Sequence, residues 1–87
     1  PNAFGLVGSE NNSIAPGKRP LSSMSPTLVL NDKKQPILSC GAAGGPKIIT
    51  AVLRILTAVL DENLSVADAV AAPRVHHQWQ PDEAVVE

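Results

Sequence analysis

Large aromatic side chains are nearly absent from this sequence: one Phe, one Trp and no Tyr among 87 residues. Any core must therefore be built from Val, Ile, Leu and Ala, and a chain this short buries only about 60–65% of its unfolded surface. One small domain, spanning residues 1–87 and marginal by itself, is the most the length allows. Cysteine is scarce too. Cys40 stands alone, which excludes an intrachain disulfide and a cysteine-based zinc cluster, and leaves a small apolar side chain in an apolar run. Charge of one sign is also missing: seven basic and eight acidic residues give a net −1, scattered along the chain. Nothing larger than Lys18-Arg19 resembles a basic patch, so no nucleic-acid partner is expected. No apolar run is long enough for a membrane. Ile48 to Leu60 is the most apolar stretch and contains Arg54, whereas a span needs about 20 residues. No signal-peptide pattern is present, and the chain opens on Pro1-Asn2, as a processed piece would.

What the chain does have is punctuation, with eight Pro and six Gly. Phe4 to Gly8 reads as a short strand, followed by a polar loop from Ser9 to Ser13 that Ala15-Pro16-Gly17-Lys18-Arg19-Pro20 prolongs. Leu21 to Ser25 is extended, because Pro26 turns Ser25 away from helical geometry. Thr27 to Leu30 and Pro36 to Cys40 are β-prone runs around Asn31-Asp32-Lys33-Lys34-Gln35, a hairpin signature. Gly41 to Pro46 is a glycine-rich loop. Ile48, Ile49, Val52, Leu53, Ile55, Leu56, Val59 and Leu60 then recur at helical spacing, and Thr50, Arg54 and Thr57 form only a thin polar stripe. Such a helix is covered on more than one side, by layers that this chain does not supply. Ser65-Val66-Ala67-Asp68 resembles a capping box opening a short helix that Pro73 stops. Arg74 to Gln80 looks extended, Pro81-Asp82-Glu83 is a turn, and Ala84 to Glu87 begins another strand.

Three clusters could carry chemistry. Gly44-Gly45 at the head of a long helix leaves backbone N–H groups open to a phosphate, a carboxylate or a developing oxyanion; a plain tight turn would use the same residues. A nucleotide-binding P-loop is excluded, since Pro46-Lys47-Ile48 stands where Gly-Lys-Ser/Thr is required. Ser22, Ser23 and Ser25, held between prolines, offer donors suited to the carboxylate of a small substrate. Composition alone favours a solvated turn there, and no nucleophile elbow or adjacent base supports a catalytic serine. His76-His77 in an extended segment would face opposite ways and cannot share a metal. A hydrogen-bonded structural histidine beside Trp79 fits better, with no metal expected. Asp82-Glu83 reads as a solvated turn or a local ion pair with Arg74.

Taken in order, these segments carry a resemblance. Gly17-Lys18-Arg19-Pro20-Leu21-Ser22-Ser23-Met24-Ser25-Pro26-Thr27 resembles the most diagnostic stretch of the gamma-glutamyltranspeptidases. Gly41-Ala42-Ala43-Gly44-Gly45, the apolar helix, Ala72 to Trp79 and Pro81-Asp82-Glu83 follow as in that family, and Pro1 to Val7 is also similar. Ala42-Ala43 replaces the Ser-Pro of many relatives but leaves both glycines intact. The resemblance implies an α+β fold, part of a four-layer αββα N-terminal-nucleophile hydrolase sandwich, incomplete at both ends. It implies a zymogen that cleaves itself to free a threonine nucleophile. That threonine attacks the gamma-glutamyl amide of glutathione or a related compound, and the acyl group passes to water, an amino acid or a dipeptide. Ser22 and Ser23 would hold the glutamyl alpha-carboxylate, and Gly44 and Gly45 the oxyanion. The resemblance also implies that the nucleophilic threonine lies upstream of this segment, and Thr27, Thr50 and Thr57, being internal, do not match it. No cofactor is implied. The partners are the large subunit and the remainder of the small subunit, in a periplasmic, secreted or cell-surface setting. A same-fold amidase of cephalosporin acylase type and a non-catalytic packing fragment are the competing readings; Ser22 and Ser23 argue against the first.

Overall fold

The computed structural model describes residues 8–87. The strand expected over Phe4 to Gly8 and the family-like stretch Pro1 to Val7 lie outside the described residues, apart from Gly8. A 3₁₀ turn, Glu10–Asn12, interrupts the first polar loop. Its short-range bonds, Asn12 N–H to the Ser9 carbonyl and Ser13 N–H to the Glu10 carbonyl, are what a polar Asn/Ser-rich segment makes in place of longer-range structure.

The hairpin forms where the turn residues demand it. β1, Thr27–Leu30, pairs antiparallel with β2, Pro36–Cys40. Asn31 ties the connection: its Oδ1 accepts the N–H groups of Lys33 and Gln35, both at 2.9 Å. Lys34 takes the left-handed conformation at φ 61°, which lets the chain reverse. Pro36 begins β2, a position where a missing N–H is tolerated. The register runs Thr27↔Cys40, Leu28↔Ser39 and Val29↔Leu38, then skips Ile37 to reach Leu30↔Pro36. Ile37 is thus a bulge.

α1, Lys47–Leu60, is the apolar helix read from the sequence. Its buried residues Ile48, Val52, Ile55 and Ala58 form one stripe, which packs with α2, Val66–Ala71, and with β3, Val75–His76. Past its end, Asn63 at φ 58° turns the chain and Leu64 N–H returns to the Ala58 carbonyl. Arg54 on the polar stripe pairs with Glu62. Ser65 caps α2 as expected, its Oγ accepting Asp68 N–H at 3.1 Å, and Ala69 of α2 is buried. β4, Val85–Val86, pairs antiparallel with β3 through Val75↔Val86 and His76↔Val85. The described residues therefore show the α+β character anticipated above.

Two expectations change in detail. The extended stretch from Arg74 to Gln80 is a strand only at Val75–His76, because Trp79 swings to φ 72°. Arg74 pairs with Glu87 at 3.6 Å instead of with Asp82 or Glu83, since β3–β4 pairing sets residues 74 and 87 side by side.

The expectation of missing layers is reinforced by what α1 leaves uncovered. Ile49 and Leu53, on the face away from the core, are 54% and 58% exposed. Leu28, Leu30 and Ile37 of the hairpin are exposed as well. The Cα radius of gyration is 15.8 Å, whereas a compact domain of this length has about 12 Å. Exposed apolar surface of this kind drives association. Residues 1–87 expressed alone will self-associate in light scattering, and the double change Ile49→Glu, Leu53→Glu will shift them toward monomer. A monomeric, folded wild-type sample would contradict this account of α1.

Candidate functional site

The glycine loop leaves β2 at Cys40, and the serine loop enters β1 at Thr27. Antiparallel pairing puts Thr27 opposite Cys40, so both loops lie at the same end of the hairpin. That proximity is a product of register: the two segments are distant in sequence and are brought together by the turn at Asn31.

Gly44 and Gly45 adopt φ 125° and 60°, conformations closed to most L-residues. The Gly44 carbonyl accepts Lys47 N–H at 3.2 Å, and the Gly45 carbonyl accepts Ile48 N–H at 3.1 Å. Both carbonyls are thereby turned into the first turn of α1. The N–H groups of Gly44 and Gly45 have no hydrogen-bond partner among the described residues. Pro46 follows without an N–H of its own, so two open amides stand at the positive end of a 14-residue helix. An array of that kind stabilises negative charge.

The serine loop is stiffened by its own hydroxyls. Ser22 Oγ accepts Met24 N–H at 3.1 Å, Ser25 Oγ donates to the Ser23 carbonyl at 3.0 Å, and Thr27 Oγ1 donates to the Ser25 carbonyl at 2.9 Å. Ser22 therefore keeps its hydroxyl hydrogen to give. The Ser23 hydroxyl has no partner among the described residues. Ser22 is exposed and Ser23 half-buried. Two hydroxyl donors on a braced loop can grip a carboxylate. The internal threonines are otherwise engaged: Thr27 as above, Thr57 with the Arg54 carbonyl at 3.1 Å, and Thr50 with His76 at 2.6 Å.

An open cleft of about 140 Å³ lies beside the glycine loop, lined in part by Gly44, Lys47, Thr50, Arg74, His76 and Glu87. Ser22, Ser23 and Gly45 are not part of its wall. The hairpin thus gathers the two loops at one end, but no hydrogen bond joins them among the described residues. His76 and His77 diverge as their adjacency requires. His76 is buried against Thr50 and Gln78, whereas exposed His77 takes Asp82 at 3.0 Å and accepts Trp79 N–H on its Nδ1. Among the described residues no three His, Cys, Asp or Glu side chains gather as a metal site. Sequence reasoning passed over Thr50, Lys47 and Arg74 as neighbours of the glycine loop. No local spacing signals a contact between Thr50 and His76, which are 26 positions apart.

Backbone strain separates the glycines in a measurable way. A side chain at Gly44 must accept φ 125° and meets Lys47 Cβ at 3.6 Å, whereas a Cβ at Gly41 meets nothing within 4 Å. In the full-length protein, Gly44→Ala will cost about 1–3 kcal/mol of stability, and Gly41→Ala will stay within about 0.5 kcal/mol. Chemical denaturation of the two variants checks this, and equal losses would refute the assignment.

The model of the family described as gamma-glutamyltranspeptidase matches residues 1–87. The chain is 53% identical over its whole length to the glutathione hydrolase proenzyme of Escherichia coli K12, of which it covers 15%. Among solved structures, a gamma-glutamyltranspeptidase of Helicobacter pylori superposes with a TM-score of 0.94 at 50% identity, over 99% of this chain and 46% of that one. The enzyme of Pseudomonas nitroreducens in complex with L-DON gives 0.87 at 51% identity, over 92% of this chain and 41% of that one. The chain thus spans about 15% of the length of the first curated relatives it matches.

Proposed function

Because the chain belongs to the gamma-glutamyltranspeptidase family, we propose that it is the part of a gamma-glutamyl-transferring hydrolase that holds the glutamyl group and stabilises the oxyanion. The fold is shared with the solved members and is a piece of their N-terminal-nucleophile hydrolase sandwich. One observation carries the reading: two unpartnered glycine amides open the helix at the hairpin end where the donor-rich serine loop also lies.

In this reading a threonine outside residues 1–87 attacks the gamma-carbonyl of glutathione or a similar donor. The carbonyl π-electrons move to oxygen, and Gly44 and Gly45 N–H donate to the resulting oxyanion. Collapse of the intermediate expels the amine, which leaves with a proton, and forms a glutamyl ester with the threonine. Water or the amino group of an acceptor then displaces the enzyme oxygen and regenerates the threonine hydroxyl. Ser22 and Ser23 hold the alpha-carboxylate in both halves of the cycle, so the gamma-carbonyl stays in place while the leaving group changes.

The remainder of the protein has a structural part in this reading as well. The apolar face of α1 and the exposed side of the hairpin dock against the other segments of both subunits. No helix among the described residues is long and apolar enough to cross a membrane.

The test uses the full-length protein with a chromogenic gamma-glutamyl anilide. Ser22→Ala and Ser23→Ala will raise KM, the pair together by more than tenfold, because each removes about 1.5–3 kcal/mol of hydrogen bonding to a charged group. Glutaryl anilide, which lacks the alpha-carboxyl and alpha-amino groups, will be a poor substrate and will respond little to the same changes. Absence of gamma-glutamyl hydrolysis by the processed wild-type protein would sink the reading. Equal turnover of the glutaryl compound would point to an acylase instead.

A further inference from the structure

His76 is 8% exposed and takes no part in the chemistry just described. Its hydrogen bonds nevertheless define a single tautomer. Gln78 Nε2 donates to the Gln80 carbonyl at 2.9 Å, which turns Gln78 Oε1 toward His76 Nε2, also at 2.9 Å. An amide oxygen only accepts, so the imidazole carries its hydrogen on Nε2 and, in the neutral ring, offers Nδ1 as an acceptor. Thr50 Oγ1 lies 2.6 Å from that Nδ1 and gives it the hydroxyl hydrogen. With this hydrogen committed, the 3.2 Å approach of Thr50 Oγ1 to the Lys47 carbonyl is the weaker contact.

The bond fastens β3 to the first turn of α1, the turn that begins at Lys47. Lys47 N–H in turn holds the Gly44 carbonyl. A peptide unit is planar, and its C=O and N–H point in opposite directions. The unit whose oxygen Lys47 holds is the one whose nitrogen is Gly45. Fixing one end therefore aims the other. At φ 125° and 60° the two glycines supply little resistance of their own to rotation of that plane, so the restraint has to come from outside the loop.

We propose that His76 is a positioning residue: acting through Thr50 and Lys47, it fixes the direction in which the Gly45 amide points. The inference rests on the oxyanion reading of the glycine loop and adds the device that preorganises it. A donor misplaced by about 1 Å can cost on the order of 10²-fold in rate without weakening substrate binding.

In the full-length enzyme, Thr50→Val removes the hydroxyl at nearly constant volume. It will lower kcat for the gamma-glutamyl anilide by about 10–100-fold, with KM held within about twofold, and hydrogen exchange at the Lys47 amide, which holds the Gly44 carbonyl, will accelerate. Thr50→Ser, which restores the donor, will recover kcat to within a few-fold of wild type and restore slow exchange. His76→Asn, which can keep an acceptor near the place of Nδ1, will outperform His76→Phe, and this second pair decides the matter if Thr50→Val does not fold. The inference is overturned if Thr50→Val or His76→Phe keeps wild-type kcat, if KM and kcat fall together, or if Thr50→Ser gives no recovery. Should the wild type hydrolyse the anilide, with Ser22→Ala raising KM, while Thr50→Val is silent, only the positioning role is lost. A wild type without activity would remove both.

Discussion

The pairing of Thr27 with Cys40 is the constraint on which the rest of this segment depends. One strand pair, closed by the carboxamide of Asn31, converts two separate loops into neighbours at one end of a hairpin. A register slip of one residue would reverse which faces of Leu28, Val29, Leu38 and Cys40 are covered. It would also shift the glycine loop relative to the serines. The bulge at Ile37 takes up the mismatch at the far end, next to the turn, and leaves the end that carries both loops regular.

From that end the chain enters α1, whose two apolar stripes divide the labour. The Ile48, Val52, Ile55 stripe meets α2 and β3 and so fixes the helix against the strand bearing His76. The Ile49, Leu53 stripe faces away and is bare. A piece of a sandwich has this form: internally braced on one side and in need of a neighbour on the other. The relatives, several times longer than this chain, have ample sequence to provide that neighbour.

Much of this was legible in the residues because the signals are local. Asn31-Asp32 marks the hairpin, Pro46 the start of α1, Ser65 with Asp68 the cap of α2, and the glycines the sharp entry to the helix. Less local features were not legible. The Arg74–Glu87 pair depends on strand pairing between distant short segments, and Trp79's left-handed backbone could not be anticipated for an aromatic residue. The Thr50–His76 bond joins a helix to a strand across a separation that no periodicity records. Ser22 and Ser23 illustrate an intermediate case: by composition they are a turn, and their availability as donors emerges only once the loop's internal hydrogen bonds are laid out.

The central claim is geometric, and a crystal structure of the processed full-length enzyme with a gamma-glutamyl phosphonate mimic of the tetrahedral intermediate tests it most directly. The account predicts Gly44 and Gly45 nitrogens at about 2.7–3.1 Å from the phosphonyl oxygen that stands for the oxyanion, with the Ser22 and Ser23 hydroxyls on the alpha-carboxylate. An oxyanion equivalent held by other groups, with the two glycine amides turned away from it, would contradict the account.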